Sequence, residues 1–420
     1  MLDIKFIRNN IELVRQAIHN KNEKADLDAL LEIDEQRRKL QFAFDNLKAY
    51  QNSVSALIAQ KKKTGDNIEN ELKAMTNTAE AIKAISAHLS IVNEKLEKML
   101  LTIPNIPQAD VPVGRDESSN KIVKIWGEPK QFPFTPKDHL ELASQNKLLD
   151  LPRGAKISGS GFPLYTGEGA RIERSLINFM LEYHLQKHNY TELIAPVIVN
   201  RKTMTGTGQL PKLEEDMYRI EKDDLFLIPT AEVPVTNIFA DEVLSYKDLP
   251  KQFVAYTPCF RREAGSYGKE TKGLQRLHQF NKVELVHFTE PEKSAAALEQ
   301  ILSDAEDILQ AFNLHYRVAA LCTGDLSFAS QKTYDLEVWA PSTGKYLEVS
   351  SVSNFGEFQA RRANIRYKDK TGKVRHLHTL NGSGVATPRL LIAILETYQQ
   401  EDGTIKLPAV LDPFLRLTLE

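Results

Sequence analysis

Residues 27–100 repeat mostly apolar positions at spacings that alternate between three and four, the pattern of a coiled-coil seam. The first seam comprises Leu30, Ile33, Arg37, Leu40, Phe44, Leu47, Gln51, Val54, Ile58 and Lys61. The second seam comprises Ile68, Leu72, Met75, Ala79, Ile82, Ile85, Leu89, Val92, Leu96 and Met99. Two consecutive three-residue steps, at 79–82–85, predict a stammer that overwinds the second helix locally. The pattern thus predicts two long helices.

A short polar connection at residues 64–67 separates the two seams. Gly65 can take the left-handed conformation that ends a helix, and Asp66 with Glu69 has the spacing of a capping box. Because so few residues join the helices, they must form an antiparallel hairpin over about 27–100. Helices of ~33 residues at about 1.5 Å per residue give an arm of roughly 50 Å.

Prolines and short β-like runs replace the heptads after residue 100. Pro104, Pro107 and Pro112 mark a boundary, so we divide the chain into residues 1–103, a linker at 104–120 and a domain at 121–420. We predict helices at 167–188 and 384–399, and strands at 190–199 (interrupted by Pro196), 225–228, 253–260, 277–286, 334–339 and 346–351. Strand pairs without intervening helices favour an α+β domain with a mostly antiparallel sheet.

Composition narrows the class of protein. The 54 Lys and Arg residues nearly balance 56 Asp and Glu residues, which argues against a generic polyanion binder. Two distant cysteines, Cys259 and Cys322, argue against a disulfide framework and a zinc cluster and favour a reducing compartment. The start of the chain has no secretory apolar region, and no stretch approaches ~20 apolar residues. We therefore expect a cytoplasmic protein that spans no membrane and binds no zinc.

Two arginine-containing tracts are the candidate chemistry. Phe260-Arg261-Arg262-Glu263 ends an apolar strand, and Asn381-Gly382-Ser383-Gly384 precedes Arg389 in a helix. No P-loop is present, so a phosphate site would have to use arginines and a metal held by a carboxylate such as Glu348. A long glycine-rich loop at 264–273 lies between the two strands of a hairpin, and Phe280 on the second strand could stack an adenine ring. For that hairpin alone, an exposed ion pair and a half-buried aromatic ring are the simpler interpretation.

A series of motifs then resembles one family from end to end. In order, they are Met1-Leu2-Asp3-Ile4, Arg8-Asn9, the helical hairpin, Ile103-Pro104-Asn105-Ile106-Pro107, Thr230-Ala231-Glu232, Phe260-Arg261-x-Glu263-Ala264-Gly265, His278-Gln279-Phe280, Glu348-x-Ser350-Ser351-x-Ser353-Asn354 and Asn381-Gly382-Ser383-Gly384. The chain is similar to bacterial-type seryl-tRNA synthetases, which are class II aminoacyl-tRNA synthetases. The resemblance implies a class II antiparallel sheet flanked by helices and an N-terminal two-helix coiled-coil arm that binds tRNA.

The resemblance also implies an activity and partners. The expected reaction joins L-serine and ATP into seryl-adenylate and pyrophosphate, then transfers serine to the 3′ end of tRNA(Ser) and also of tRNA(Sec). The expected cofactor is Mg²⁺ with ATP. The expected assembly is a homodimer through the helix 167–188 and the Pro196 strand.

Roles for individual residues follow from the same resemblance. The catalytic residues would be Arg261 and Arg389. ATP would contact Arg261, Arg262, Glu263, Phe280, Glu348, Val349, Ser350, Ser351 and Arg389. Serine would contact Thr230, Ala231, Glu232, Arg261, Glu284, Asn381 and Ser383. Mg²⁺ would be held by Glu348 and Ser351. The tRNA would contact Arg37, Arg38, Lys39, Lys48, Lys61, Lys62 and Lys63.

Two alternative classes stay open on the sequence alone. One is a synthetase-like paralogue that loads amino acids onto a carrier protein, although a carrier does not require so long a hairpin. The other is a non-catalytic tRNA-binding tether, which has no reason to keep Arg261, Glu284, Glu348 and Arg389. Three departures from the family pattern are Arg262, Asn281 and Pro388, and none removes a group that would contact substrate.

Overall fold

The computed structural model describes residues 1–264 and 273–415. Of the glycine-rich loop that the sequence singles out at 264–273, residues 265–272 lie outside the described residues. The chain divides into two compact units, which we treat separately. One consists of residues 2–18 and 23–104, and the other of residue 1, residues 19–22 and the chain from 105 onward.

The N-terminal unit is built from helices. They are α1 (Ile4–Asn9), α2 (Ile11–Asn20), α3 (Leu27–Thr64) and α4 (Glu69–Leu100). Helices α3 and α4 pack against each other and form the predicted two-helix arm. Asp3 and Asp26 begin α1 and α3 by accepting hydrogen bonds from backbone N–H groups of the first turn, as N-cap carboxylates do.

The first predicted seam is confirmed along the whole of α3. Each of its ten positions is buried or half-buried, whereas most of the residues between them are exposed. Arg37, Gln51 and Lys61 keep their seam positions even though their side chains are polar. The spacing of the positions, rather than the hydrophobicity of each residue, therefore decides the packed face.

Part of the prediction for the second seam is wrong. The packed face of α4 runs through Ile68, Glu71, Met75, Thr78, Ile82, Ile85, Leu89, Val92, Leu96 and Met99. These positions alternate steps of three and four without interruption, so there is no stammer. The predicted seam residues Leu72, at 49% exposure, and Ala79 face solvent. Glu71 and Thr78 replace them because their polar groups have partners: Lys61 Nζ lies 2.6 Å from Glu71 Oε1, and the Thr78 hydroxyl donates to the Ala74 carbonyl at 2.7 Å.

The connection between α3 and α4 is partly as predicted. Gly65 follows α3 with φ of 76°, the left-handed conformation that glycine adopts readily. The predicted capping box is wrong, because Ile68 precedes α4 without a side-chain cap. Asp66 instead accepts a hydrogen bond from the Thr64 hydroxyl at 2.6 Å, and Asn67 accepts one from the Glu69 N–H at 2.8 Å.

The second unit is a mixed α and β domain. Its strands are β1 (Lys121–Trp126), β2 (Thr191–Glu192), β3 (Ile198–Asn200), β4 (Arg219–Ile220), β5 (Leu225–Leu227), β6 (Val243–Ser245), β7 (Lys251–Phe260), β8 (Gln279–Thr289), β9 (Tyr316–Ala320), β10 (Lys332–Ala340), β11 (Lys345–Gly356), β12 (Arg366–Lys368), β13 (Val374–His376) and β14 (His378–Ala386). Its helices are α5 (His139–Gln145), α6 (Leu151–Ser158), α7 (Glu168–His188), α8 (Arg201–Thr207), α9 (Glu232–Thr236), α10 (Ser294–Ala311), α11 (Phe358–Arg362), α12 (Thr387–Tyr398) and α13 (Asp412–Leu415).

The central sheet has eight described strands in the order β1-β9-β10-β11-β14-β8-β7-β2. All neighbours in this order pair antiparallel except β2 and β7, which confirms the mostly antiparallel sheet. Helices α7, α10 and α12 supply fully buried side chains such as Leu176, Ile301 and Ile394 to the main hydrophobic core. The sheet is therefore covered by helices, as expected of a sheet whose face is apolar.

Two predicted elements differ from the structure. The single strand at 190–199 is two short strands, β2 and β3, in different sheets, with Pro196 between them. The helix expected from residue 384 begins at Thr387, since residues 381–384 continue strand β14. Among the described residues, no helix is both long and apolar enough to cross a bilayer.

The glycines of the 381–384 tract let β14 pass close to its neighbours. A Cβ on Gly382 would lie 2.5 Å from the Ile301 side chain of α10, and one on Gly384 would lie 2.5 Å from the His184 ring of α7. A side chain at either position would push the strand away from its covering helices. The two glycines thus fix the place of Ser383 between them.

Candidate active site

One cavity of about 480 Å³ collects residues from strands β8, β11 and β14 and from the segment after β7. Its lining includes Thr230, Glu232, Arg261, Glu263, Phe280, Lys282, Glu284, Glu348, Val349, Ser350, Ser351, Asn381, Ser383 and Arg389. The antiparallel pairing explains this convergence, because Glu284 lies opposite Ser383 and Phe280 lies opposite Cys259, two residues before Arg261. Most of the residues predicted from separate motifs therefore share one cavity.

Arg261 lies where β7 ends and is fixed by its backbone. Its N–H donates to the His278 carbonyl at 2.9 Å, which continues the β7–β8 pairing by one more bond. Its guanidinium carbon lies 5.2 Å from the centre of the Phe280 ring, and its Nε donates to the Pro229 carbonyl at 3.4 Å. A guanidinium over an aromatic face is a favourable arrangement, and it leaves most of the N–H groups of Arg261 for a ligand.

Two carboxylates occupy the buried end of the cavity. Glu232 is 8% exposed and Glu284 is 2% exposed. Burial, followed by the charge of Glu284, raises the pKa of Glu232 to about 7, while hydrogen bonds from Gln359 and Asn381 oppose the rise. Gln359 Nε2 donates to Glu232 Oε1 at 2.6 Å. Lys282 Nζ lies 2.5 Å from Glu284 Oε2, an ion contact without regular hydrogen-bond geometry.

Neutral polar groups surround these acids. Thr230 is buried, and its Oγ1 accepts a hydrogen bond from the Glu232 N–H at 3.2 Å. Ser350 donates its hydroxyl to the Ser383 carbonyl at 2.6 Å, which ties β11 to β14 behind the cavity. Asn381 and Ser383 are buried on β14. This end of the cavity offers carboxylate and hydroxyl oxygens to a small polar ligand.

The other end of the cavity is more exposed and carries a cation beside an anion. Arg389 Nη1 donates to the Glu348 carbonyl at 2.7 Å and lies 3.5 Å from Glu348 Oε2. Its Nε donates to the Gln275 carbonyl at 3.2 Å. The side chain of Glu348 is 49% exposed. Arg389 on α12 and Arg261 after β7 thus line one cavity from separate elements, as two groups that grip a phosphate chain must.

A buried carboxylate lies next to Glu348. Burial, followed by the charge of Glu348, raises the pKa of Asp335 well above its usual range, whereas a hydrogen bond with Ser351 lowers it. Asp335 pairs with Ser351 across strands β10 and β11. Within the described chain, Asp335 Oδ1 has no hydrogen-bond partner.

Some predicted residues do not line the cavity. Ala231 is fully buried in the core next to Val235 rather than exposed to a ligand. Arg262 is exposed and lines a neighbouring hollow with Phe162 and His278. Its N–H donates to the Asp216 carbonyl at 2.9 Å.

Sequence reasoning missed three residues around the acids and the Ser351 hydroxyl. Lys282 shares a strand face with Phe280 and Glu284 by simple alternation, which was available from the sequence. Gln359, on α11, carries no motif signal that would connect it with Glu232. Asp335 becomes notable only when the β10–β11 register places it opposite Ser351.

The predicted tRNA contacts of the arm are mostly engaged in ion pairs. Arg37, Arg38 and Arg8 all contact the fully buried carboxylate of Asp34, at 2.8–3.3 Å. Lys39 pairs with Glu35, Lys61 with Glu71, and Lys48 lies 3.4 Å from Gln51 Oε1. Lys62 and Lys63 are exposed at the end of α3.

Comparison with known proteins identifies the relatives of this chain. The family model for the seryl-tRNA synthetase N-terminal domain matches residues 1–107, and the model for the tRNA synthetase class II core domain (G, H, P, S and T) matches residues 214–398. The serine–tRNA ligase of Geobacter sulfurreducens is 50% identical over 416 residues, which cover 99% of this chain and 98% of that protein. The chain belongs to the seryl-tRNA synthetase family.

Solved structures of seryl-tRNA synthetases agree with this assignment. The crystal structure of the Pyrococcus horikoshii enzyme complexed with ATP superposes with a TM-score of 0.93 at 36% identity, covering 99% of this chain and 98% of that one. The cytoplasmic enzyme of Naegleria fowleri in complex with AMP gives a TM-score of 0.87 at 26% identity, covering 99% and 97%. The predicted class II fold and aminoacyl-tRNA ligase class are therefore confirmed, and full-length coverage argues against both alternative classes.

Proposed function

We propose that this protein ligates serine to tRNA through the cavity described above. It joins L-serine and ATP into seryl-adenylate with release of pyrophosphate, and then transfers the seryl group to the 3′ end of tRNA(Ser). The observation that supports this most strongly is the contrast within the cavity. Two arginines on separate elements line the cavity and suit phosphates, and two buried carboxylates line it and suit an ammonium and a hydroxyl group.

The nucleotide would occupy the more exposed end. Arg261 holds the α-phosphate and Arg389 holds the γ-phosphate of a bent ATP, since guanidinium groups match phosphate oxygens in charge and geometry. Phe280 stacks the adenine ring. Glu263, Val349, Ser350 and Ser351 complete the ATP contacts. Arg262 keeps its proposed ATP contact only if it turns toward the cavity when the nucleotide binds.

The amino acid would occupy the buried end. Thr230 and Glu232 receive the ammonium group, with the backbone of Ala231 between them, and Arg261 holds the carboxylate. Glu284 accepts the hydrogen bond of the serine hydroxyl, and Asn381 and Ser383 line the same pocket. A site built to satisfy a hydroxyl rejects alanine by roughly 10⁴-fold, because its buried polar groups would be left without partners.

Positioning and electrostatics account for the two chemical steps. The serine carboxylate attacks the α-phosphorus in line, and pyrophosphate leaves. The ribose hydroxyl of the tRNA terminus then attacks the acyl carbon, and AMP leaves. Arg261 contacts the atoms where negative charge builds up in the first step, so it stabilises the transition state more than the ground state. Neither step requires a covalent enzyme intermediate.

The residues around Glu348 fit a magnesium ion that arrives with ATP. Magnesium sites of nucleotide enzymes use one or two carboxylates together with substrate phosphates, and Glu348 and Ser351 supply such oxygens. Asp335 lies behind Ser351 with one oxygen that has no hydrogen-bond partner among the described residues, and its raised pKa favours the neutral form until a nearby cation lowers that pKa. When bound, the ion neutralises phosphate charge.

The wider assignments are proposals of the same kind. We place tRNA binding in residues 1–103, a linker at 104–120 and catalysis in 121–420. Lys62 and Lys63 are the strongest candidates for phosphate contacts, because Arg37, Arg38, Lys39 and Lys61 would first have to exchange an ion pair for a phosphate and Lys48 its contact with Gln51. A cytoplasmic homodimer that uses the helix 167–188 and the Pro196 strand, and that also serylates tRNA(Sec), completes the proposal.

An amino-acid panel in ATP–pyrophosphate exchange, followed by tRNA charging, tests the activity. We expect exchange with serine, little with alanine or threonine, and charging of tRNA(Ser). Exchange that prefers another amino acid would contradict the substrate, and serine exchange without any tRNA charging would favour a carrier-protein ligase.

Deletion of residues 35–95 tests the arm. This deletion shortens both α3 and α4 and leaves every cavity residue in place. We expect serine-dependent exchange to persist while tRNA charging falls steeply. Unimpaired charging would show that the arm is not required for tRNA recognition. The rate of serine-dependent exchange serves as the control for folding.

A further inference from the structure

Lys282 is a buried cation in the substrate cavity to which no motif assigns a role. It is 7% exposed and lies on β8, two residues before Glu284 and on the same strand face. Its Nζ lies 2.5 Å from Glu284 Oε2. Its cross-strand neighbours, Thr257 on β7 and Ala386 on β14, carry no charge. Glu284 is therefore the partner that holds this ammonium group in place.

Lys282 reduces the electrostatic repulsion between the two buried carboxylates near it. Glu232 and Glu284 are both buried, and the charge of Glu284 disfavours the charged form of Glu232. Lys282 is the cation that lowers the pKa of Glu232 against this repulsion. Leaving two buried carboxylates without a cation is costly, and one of them would take up a proton instead.

The charges of this group match an amino acid. Two carboxylates and one ammonium give a net charge of −1, and the ammonium group of an incoming amino acid brings the sum to zero. The match requires both carboxylates to be ionised, because an ionised carboxylate is purely an acceptor and a protonated one also donates. The positive charge of Lys282 offsets the cost of placing two carboxylates close together in a buried site.

We infer that Lys282 is a positioning residue for substrate specificity: it holds one oxygen of Glu284, favours the ionised form of Glu232, and leaves the other Glu284 oxygen as a fixed acceptor for the substrate hydroxyl. This inference rests on the proposed function, since it assigns Lys282 a part in selecting serine at the same site. It differs from a purely structural role because it predicts changes in selectivity and in pH dependence.

The other groups around Lys282 define what its removal changes. Glu232 approaches from α9, Glu284 from β8, and Cys259 with Arg261 from β7. Gln359 and Asn381 donate neutral hydrogen bonds to Glu232. Burial raises the pKa of the Cys259 thiol, so this group stays neutral at physiological pH. Loss of the Lys282 charge therefore acts on Glu232, whose protonation moves to higher pH, and removes the ion contact of Glu284.

The test compares Lys282→Met, Lys282→Gln and Lys282→Arg with the wild-type protein in ATP–pyrophosphate exchange. For the two neutral variants we expect the KM for serine to rise roughly tenfold or more and the KM for ATP by less than about threefold, since only the serine contacts depend on the position and charge of Glu284 and Glu232. The acidic limb of kcat/KM for serine should move up by about one pH unit, the size of effect that an opposite charge exerts on a nearby carboxylate. The ratio of serine to alanine exchange should fall.

Lys332→Met is the matched control, because Lys332 lies on β10 of the same sheet and pairs with Asp110 at 2.6 Å, outside the cavity. It should leave all three readouts unchanged.

An acidic limb in Lys282→Met that coincides with the wild type, or equal increases in both KM values, would overturn the inference. If neither neutral variant folds, Lys282→Arg decides: it should keep the acidic limb and lose part of the selectivity over alanine, and wild-type selectivity or a moved limb would refute the role. Absence of serine exchange in the wild type would instead count against the proposed function.

Discussion

The helical arm and the substrate cavity both place polar side chains where a hydrophobic pattern expects apolar ones, but they satisfy them differently. In the arm, Lys61 and Glu71 pair with each other across the seam, and the Thr78 hydroxyl bonds to its own helix. Beside the cavity, one oxygen of Asp335 has no hydrogen-bond partner in the described chain, and in the cavity Glu284 Oε2 has only the ion contact with Lys282.

This difference teaches how to separate structural from functional polar groups. Buried polar groups in folded proteins have hydrogen-bond partners. A buried group whose partners lie within the chain therefore needs no ligand to account for it. A buried group that is only partly satisfied is costly, and it is kept where a ligand completes its bonding. The arm residues are therefore part of the packing, whereas the cavity residues are prepared for a substrate. The following predictions test this distinction.

The largest effect is expected for Arg261→Ala. Loss of the cation that we propose contacts the reacting phosphate should lower serine-dependent exchange by roughly 10²–10³-fold or more, the size of effect found when one stabilising donor is removed from an active site. Circular dichroism should show an intact fold. Arg201→Ala is the control, since Arg201 pairs with Glu214 and Asp224 away from the cavity. Exchange at the wild-type rate in Arg261→Ala would refute the catalytic role.

Glu284→Ala should have the next largest effect and should act on one substrate. We expect the KM for serine to rise roughly 10- to 100-fold, because a hydrogen bond to a charged group contributes about 1.5–3 kcal/mol. The KM for ATP should change little. Steady-state exchange kinetics with each substrate varied in turn give both values, and equal changes would count against the hydroxyl-binding role.

The pH dependence of serine binding should reveal Glu232. Its pKa is raised to about 7, so it is neutral below that pH and ionised above it. Because only the ionised form attracts an ammonium group fully, kcat/KM for serine should rise with pH through the neutral range, by up to about tenfold per unit. Glu232→Gln should lower kcat/KM and remove this limb. A wild-type profile that is flat between pH 6 and 8 would contradict the prediction.

The smallest effect concerns the packed face of α4. Thr78 is 6% exposed whereas Ala79 faces solvent, so Thr78→Arg should lower the Tm and Ala79→Arg should leave it nearly unchanged. Thermal unfolding followed by the helical dichroism signal measures both. The opposite order would restore the predicted seam with its stammer.

Much of the fold could be read from the sequence because periodicity constrains it strongly. All of the first seam was predicted, since regular spacing outweighs the polarity of a residue such as Arg37. Strands β7, β8, β10 and β11 were also predicted, whereas β14 between β11 and β8 was not. The second seam was misread because Leu72 and Ala79 are apolar, and the pairing that makes Glu71 the better choice depends on Lys61 of the other helix. The hydrophobic pattern of one helix does not reveal a partner residue on the other helix.

The candidate site shows the same limit. Motif order indicated Arg261, Glu284, Glu348 and Arg389, all of which line one cavity. The side-chain direction of Arg262 depends on a backbone bond to Asp216, and the importance of Asp335 depends on strand register. The Asn381–Gly384 tract reads as a turn from its composition, but its glycines serve a buried strand instead.

Those two glycines also bear on attempts to redesign the enzyme for a larger amino acid. Ser383 is held between Gly382, against Ile301, and Gly384, against His184, so the pocket floor on β14 cannot be lowered by moving the strand toward its helices. Extra room would have to come from other residues that line the cavity, such as Thr230 and Glu232. Selections for altered substrates should therefore accumulate changes at such positions and leave Gly382 and Gly384 untouched.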